Sequence, residues 1–220
     1  MIRVAILIDG AYFLKRYKHT YGYGDPPAKV AKNLFKMCLE HIDKKTDTLY
    51  RIFFYDCPPF DQKAHNPVTG KAVDFAKTKL YSFRKGLYEE LLKKRKVALR
   101  RGRLGVAARG WVIKPDPTKK LLSKKIAIDD LTEFDVEYEL TQKGVDMRVG
   151  LDIASLAYKK LVDRIILVSG DADFVPAAKL ARREGIDFVL DPMWQRISDD
   201  LFEHIDGMQT KCPKPKALKS

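Results

Sequence analysis

Two aspartates stand where apolar runs break off. Asp9 follows Val4–Ile8 in the opening IRVAILIDG, and Asp171 follows Ile165–Val168 in the run IILVSGDADF, with Asp173 two residues on. A continuous run of apolar, mostly β-branched residues reads as a strand buried on both faces, so each carboxylate falls at or just beyond a strand's carboxyl end. In an open parallel α/β sheet that edge forms the functional crevice, at the point where strand order reverses. A third carboxylate, Asp146, sits just after Gly144 at the start of a helical pattern. Asp152 lies six residues further along, about 240° round the same helix, so Asp146 is the one expected to face the crevice. Asp152 stays open as a further ligand or as a residue that orients its neighbours.

Carboxylates gathered in this way need compensation. Two of them about 4 Å apart repel by roughly 4 kcal/mol at an effective dielectric near 20. A divalent cation removes that penalty, and all-oxygen ligation without clustered His or Cys suits Mg²⁺ or Mn²⁺ better than zinc. Such an ion polarises a phosphoryl oxygen and activates water for in-line attack. The chain is also strongly basic, with 42 Lys and Arg against 29 Asp and Glu and a net charge of +13. A polyanionic partner is therefore expected, and phosphodiesters of nucleic acid are the natural substrate.

The elements that must carry these residues alternate. The apolar run Val4–Ile8 is followed by a helical pattern from Pro26 to Ile42, then by a second strand, Leu49–Tyr55, which stops at Asp56-Cys57-Pro58-Pro59. After Gly144 comes a helix containing Val145, Val149, Ile153 and Leu156, then the strand Ile165–Val168, a helix from about Phe174 to Arg183, a strand Ile186–Leu190 and a helix from Ser198 to His204. Strand and helix in alternation predict an α/β fold, a Rossmann-like parallel sheet flanked by helices. Between about 58 and 142 the rhythm breaks. A basic helix from about Phe75 to Lys96 precedes short strand-like pieces at Val97–Leu104, Arg109–Lys114 and Phe134–Leu140, which form a β-hairpin insertion, and Pro115–Asp130 reads as an exposed loop. One domain over residues 1–210 is expected, with residues 211–220 a basic, flexible tail.

The segment from Arg84 to Arg103 holds nine basic residues against two Glu. A solvated helix face is the ordinary reading of a charge run, but the one-sided excess makes Lys93, Lys94, Arg100, Arg101 and Arg103 candidates for phosphate contact. Tyr81, Phe83, Tyr88 and Trp111 are either core or a stacking surface for bases. Arg148, one helical turn from the acidic residues, would meet a substrate phosphate or pair with an Asp. Three cysteines without ligand spacing argue against zinc or a disulfide framework and fit a reducing, cytoplasmic setting. His19, His41, His65 and His204 lack ligand spacing too. No stretch approaches the ~18 apolar residues of a membrane helix.

IDGAYF, KGVDMRVGLD and VSGDADFVP, in that order, resemble the NYN family of PIN-like nucleases, particularly its bacterial LabA-like branch. The resemblance spans nearly the whole chain. It implies a PIN-like parallel sheet, a Mg²⁺ or Mn²⁺ site of acidic residues and endoribonuclease activity. Carried over, the metal-binding and catalytic aspartates are Asp9, Asp146 and Asp171, with Asp173 a fourth member, and Ser169 falls where a hydroxyl would meet phosphate or water. Tyr12 stands where many members carry Asn, whose amide would help hold a ligand near the first Asp; Tyr cannot do so in the same geometry.

Simpler roles exist for each carboxylate. Asp9-Gly10 fits a turn, Asp146 fits an N-cap, and one of Asp171 and Asp173, with Asp173 preferred, is expected to cap the following helix. The alternative function is an NYN scaffold that holds RNA or a partner protein with little or no cleavage. A haloacid dehalogenase-type phosphatase would need a second Asp two residues after Asp9, where Ala11 stands. RNA is the expected partner, while DNA as substrate and a homo-oligomer both stay open.

Overall fold

A computed structural model describes residues 1–215, and for residues 106–109 the backbone without the side chains. The chain begins with β1 (Ile2–Asp9), α1 (Gly10–Thr20), α2 (Pro27–Glu40) and β2 (Asp47–Asp56). Two short strands follow, β3 (Lys63–His65) and β4 (Ala72–Asp74), then α3 (Lys79–Leu92), β5 (Val97–Arg101), β6 (Arg103–Ile113), α4 (Pro115–Leu122) and β7 (Val136–Lys143). The last part holds α5 (Val145–Tyr158), β8 (Arg164–Val168), α6 (Val175–Arg183), β9 (Asp187–Asp191), α7 (Asp199–Glu203) and β10 (Gly207–Met208).

Six strands form one sheet in the order β10-β9-β8-β1-β2-β5. Every neighbouring pair in it is parallel. From β1 the order runs one way through β2 and β5, and the other way through β8, β9 and β10, so the reversal lies between β1 and β8. Alternation along β1 sorts the core into two layers. Val4, Ile6 and Ile8 pack with α1, α2 and α3, whereas Ala5 and Leu7 pack with α5 and α6. All five are wholly buried, which is why the strand reads as an unbroken apolar run. Burying each of the larger ones contributes about 1.5–3 kcal/mol.

The expected α/β sheet is present, and several local expectations are corrected. Val97–Leu104 is two strands, not one: Gly102 separates β5, which completes the central sheet, from β6, which pairs only with β7 in an antiparallel hairpin. A Cβ on Gly102 would lie 2.8 Å from the Lys143 carbonyl, so the crossing between the two sheets admits no side chain. The span 58–142 therefore contains α3 and β5, which belong to the main architecture. The exposed loop expected over 115–130 contains α4, with Pro115 at its first position, where a missing N–H costs nothing. α1, unforeseen, starts directly at Gly10 and is capped by Asp9.

The tail is docked for part of its length. Cys212 is buried, its carbonyl accepts the Trp194 indole N–H at 2.9 Å, and the backbone N–H of Lys211 donates to Asp191 at 3.3 Å. Residues 216–220 of the expected flexible tail lie outside the described residues. Among the described residues no helix is long and apolar enough to cross a membrane.

Candidate functional site

Asp9 ends β1, and Asp171 follows the neighbouring β8 after Ser169 and Gly170, so the two carboxylates flank the point where strand order reverses. Each is held by a backbone N–H. Asp9 accepts from the Tyr12 N–H at 3.0 Å as the N-cap of α1. Asp171 accepts from the Asp173 N–H at 3.0 Å and caps a short 3-10 turn, Ala172–Phe174, that leads into α6. Asp146 comes from a third element, in the first turn of α5 after Gly144.

These carboxyls feel one another. Burial pushes the Asp9 carboxyl up to about 6, with the charges of Asp146 and Asp171 adding to the rise while the N–H groups of Tyr12 and Ala11 oppose it. Burial also raises Asp146, again with Asp171 and Asp173 contributing. Among the described residues no Lys, Arg or His forms an ion pair with Asp9, Asp146, Asp171 or Asp173.

Two other strand-end aspartates make the contrast. Asp56, at the end of β2, is buried and takes the guanidinium of Arg84 and the hydroxyl of Tyr88. Asp191, at the end of β9, is wholly buried against His41 Nε2 at 2.8 Å. A strand-end position alone therefore does not set a carboxylate apart: Asp56 and Asp191 are each engaged by a side chain of the protein, whereas Asp9 and Asp171 accept backbone N–H groups. The donor set of four such carboxyls fits a hard divalent ion. Their oxygens do not draw in to one coordination sphere: the one group of three metal-ligating side chains within 4.8 Å of one another among the described residues is Asp200, Glu203 and His204. That triad follows from helical spacing on the five-residue α7, where the His204 ring bonds the Asp200 carbonyl at 2.7 Å.

Several expected roles move. Neither Asp171 nor Asp173 caps α6, whose N-cap position is Phe174; Asp171 caps the 3-10 turn that precedes it, by accepting the Asp173 N–H. Asp152 accepts from the Tyr55 hydroxyl at 2.8 Å and from Arg100 Nε at 2.9 Å. Ser169 is wholly buried, and its Oγ accepts the Asp171 N–H at 3.3 Å, which supports the loop from below. Arg148 is exposed and forms no ion pair among the described residues.

Within the basic segment, Lys93 pairs with Glu90 at 2.6 Å, Arg100 is held by Asp152, and Arg101 lies over the Tyr88 ring at 5.3 Å. Lys94 and Arg103 form no ion pair among the described residues. Tyr88 is core, and Trp111 packs edge-on to Tyr138 at 5.3 Å within the aromatic cluster that seats the hairpin.

A strut that sequence reasoning missed stands behind the acidic group. The Tyr12 hydroxyl donates to the Pro192 carbonyl at 2.7 Å, and its ring fills the space beside Gly170, where a Cβ would come within 2.7 Å of the hydroxyl. Pro192 opens a tight turn in which Met193 and Trp194 both have positive φ, at 45° and 66°. Left-handed backbone disfavours side-chained residues by about 1–2 kcal/mol each. Asp191 accepts the Met193 N–H at 2.8 Å and Arg16 donates twice to the Met193 carbonyl, which holds the turn in place. Turn residues of the Asn-Gly kind would have signalled it; Met-Trp does not.

The family model for the NYN domain matches residues 86–204, more than half of the chain. The chain belongs to the NYN family. Its members are PIN-like, nuclease-type domains that generally use divalent metals. The matched span contains Asp146, Asp171 and Asp173, while Asp9 lies outside it, on β1, which pairs with β8. No curated protein matches the chain in sequence. Among solved structures, a protein of unknown function from Vibrio parahaemolyticus is similar over 95% of this chain and 92% of its own, at 17% identity and a TM-score of 0.45. The parallel sheet itself, rather than that distant likeness, carries the fold assignment.

Proposed function

We propose that this NYN domain is a Mg²⁺- or Mn²⁺-dependent endoribonuclease, acting as one domain over residues 1–210 in a reducing, cytoplasmic compartment. The observation that carries the reading is the placing of Asp9 and Asp171 at the strand-order reversal, with Asp146 near enough for its charge to bear on Asp9 and no ion pair to any of the three among the described residues. Asp9, Asp146 and Asp171 would hold the ion, with Asp173 beside them. When bound, the ion supplies charge stabilisation at a phosphoryl oxygen and a water of lowered pKa.

The chain's own residues do the rest. The Tyr12 N–H and the Ser169 hydroxyl hold the loops that carry Asp9 and Asp171, and the carboxylates would draw together on the ion. Arg148, exposed two residues after Asp146 in the first turns of α5, would meet a substrate phosphate, where its planar guanidinium offers paired donors. Hydrolysis joins a water oxygen to phosphorus and breaks the bond to the 3′ oxygen, leaving a 5′-phosphate and a 3′-hydroxyl. The test is cleavage of labelled RNA with Mn²⁺ by the wild type and Asp171→Asn, with the product ends identified. Products bearing 2′,3′-cyclic phosphate, or full activity in the variant, would contradict the reading.

The second reading is an RNA-holding scaffold that cuts poorly. One observation favours it: Tyr12 commits its hydroxyl to Pro192 and offers no side-chain group to the acidic residues. Tight RNA binding with no products at any Mn²⁺ concentration would select it.

A further inference from the structure

A cleft of about 740 Å³ opens beside the first turn of α1 and runs between α1, the start of α2 and α3. Its α1 wall is Ala11, Leu14, Lys15 and Lys18, one helical face. Ala11, which lines the cleft, lies two residues from Asp9 and beside Tyr12, whose N–H caps that carboxylate, so this end of the cleft adjoins the acidic group. From Ala11 to Lys18 the face extends roughly 10 Å by helical rise. That is the length of about three stacked nucleotides at ~3.4 Å each.

The opposite wall comes from α3, where Phe83 lies inside and Leu80 is left 66% exposed at the rim beside Lys79. Charge in the cleft is one-sided. Lys15, Lys18 and Lys79 form no ion pair among the described residues. The one acid in the wall, Asp25, is already matched by Lys29 at 2.9 Å and by the Tyr17 hydroxyl at 2.7 Å. Arg84, at the base, is committed to Asp56. An apolar trough edged by unmatched lysines fits a polymer with flat apolar faces and a regularly charged backbone. In a duplex the bases are paired and turned inward, out of reach of Leu14, Leu80 and Phe83.

We propose that this cleft is the subsite for an unpaired RNA strand next to the scissile phosphate. The apolar walls take the bases and Lys15, Lys18 and Lys79 take the phosphates. The assignment rests on the nuclease reading only for the direction in which the strand leads to the acidic group. It also shifts the main basic contact away from the segment 84–103, where Lys93, Arg84 and Arg100 are already paired.

The experiment uses the full chain carrying Asp171→Asn, so that binding is read without cleavage. A fluorescein-labelled ten-nucleotide RNA is titrated over a range of salt for three proteins: this background alone, with Lys15→Ala, Lys18→Ala and Lys79→Ala, and with Lys44→Ala, Lys45→Ala and Lys159→Ala. The second set removes the same charge from the other end of the sheet. The cleft variant should lose about ten-fold or more in affinity at 0.1 M salt, and its log–log salt slope should become shallower by about two. The control should match the background in slope, and a duplex of the same sequence should compete poorly.

Equal slopes for the two triple variants would overturn the proposal, as would saturable binding of an acidic peptide with no RNA binding. Lysine-dependent binding by a protein whose wild type never cuts would remove the nuclease reading and keep the cleft. Cleavage by wild type that the cleft substitutions leave unchanged in KM would remove the cleft and keep the nuclease.

Discussion

The Tyr12 hydroxyl donates to the carbonyl of Pro192 at 2.7 Å while the backbone N–H of the same residue donates to Asp9 at 3.0 Å. One residue thus ties the corner that carries Asp9 to the turn after β9, across the loop that carries Asp171. Tyr12 acts on the acidic group through its scaffold and is a positioning residue. Tyr12→Phe should cost about 1 kcal/mol, because Pro192 keeps its second donor, the Gln195 N–H at 2.8 Å. Mn²⁺ affinity should stay within about two-fold of wild type, since the Asp9 cap is a backbone contact. Urea denaturation and calorimetric Mn²⁺ titration measure the two effects separately.

Stability should depend on pH through Asp9. Its carboxyl sits at about 6 in the fold against 3.8 as the ordinary value, so the folded protein binds that proton more tightly. The contribution is fully present below about pH 3.8 and is lost as pH rises through about 6. Asp9→Asn removes this loss while keeping an oxygen to cap α1. The variant should exceed wild type by on the order of 2–3 kcal/mol at pH 8 and approach it at pH 4, in metal-free buffer. Mn²⁺ should stabilise wild type more at pH 8 than at pH 5, because ligation requires the ionised form.

Breaking the Asp56–Arg84 pair should be expensive. Asp56 is buried, and Arg84 and Tyr88 both converge on it, fixing α3 to the end of β2. Asp56→Ala leaves a largely buried guanidinium without its anion and should cost about 3–5 kcal/mol. The double variant Asp56→Leu with Arg84→Met should regain most of that loss, which a double-mutant cycle in urea would reveal.

Asp152 separates structure from chemistry. Its bonds to the Tyr55 hydroxyl and Arg100 hold α5 against β2 and β5. Asp152→Ala should lower stability by about 2–3 kcal/mol and leave the metal dependence of cleavage unchanged at temperatures where the variant is folded. A rise in the Mn²⁺ concentration needed for half-maximal cleavage would place Asp152 among the ligands instead.

The parts legible in the sequence are those dominated by local pattern. The strands around Val4–Ile8, Leu49–Tyr55, Ile165–Val168 and Ile186–Leu190 are apolar because helices cover both faces, and Asp9 and Asp171 follow from where two of them end. What stayed hidden depends on partners distant in sequence. Arg100 reads as a free cation until Asp152, 52 residues away, binds it. Asp56 and Asp9 look alike in sequence, and only the fold supplies Arg84 to one and not the other. α1 escaped notice because Lys15, Arg16, Lys18 and His19 interrupt its apolar side, which buries little beyond Phe13 and Tyr17. The cleft was hidden for the same reason: Lys15, Lys18 and Lys79 come together only when α1 and α3 do.

The most direct test of the central claim is calorimetric titration of Mn²⁺ at pH 8 into wild type and Asp171→Asn, with cleavage of a labelled RNA followed on the same samples. A Mn²⁺ site that weakens at least ten-fold in the variant, together with loss of cleavage, is the predicted result. Equal Mn²⁺ affinity and equal cleavage in the two proteins would contradict it.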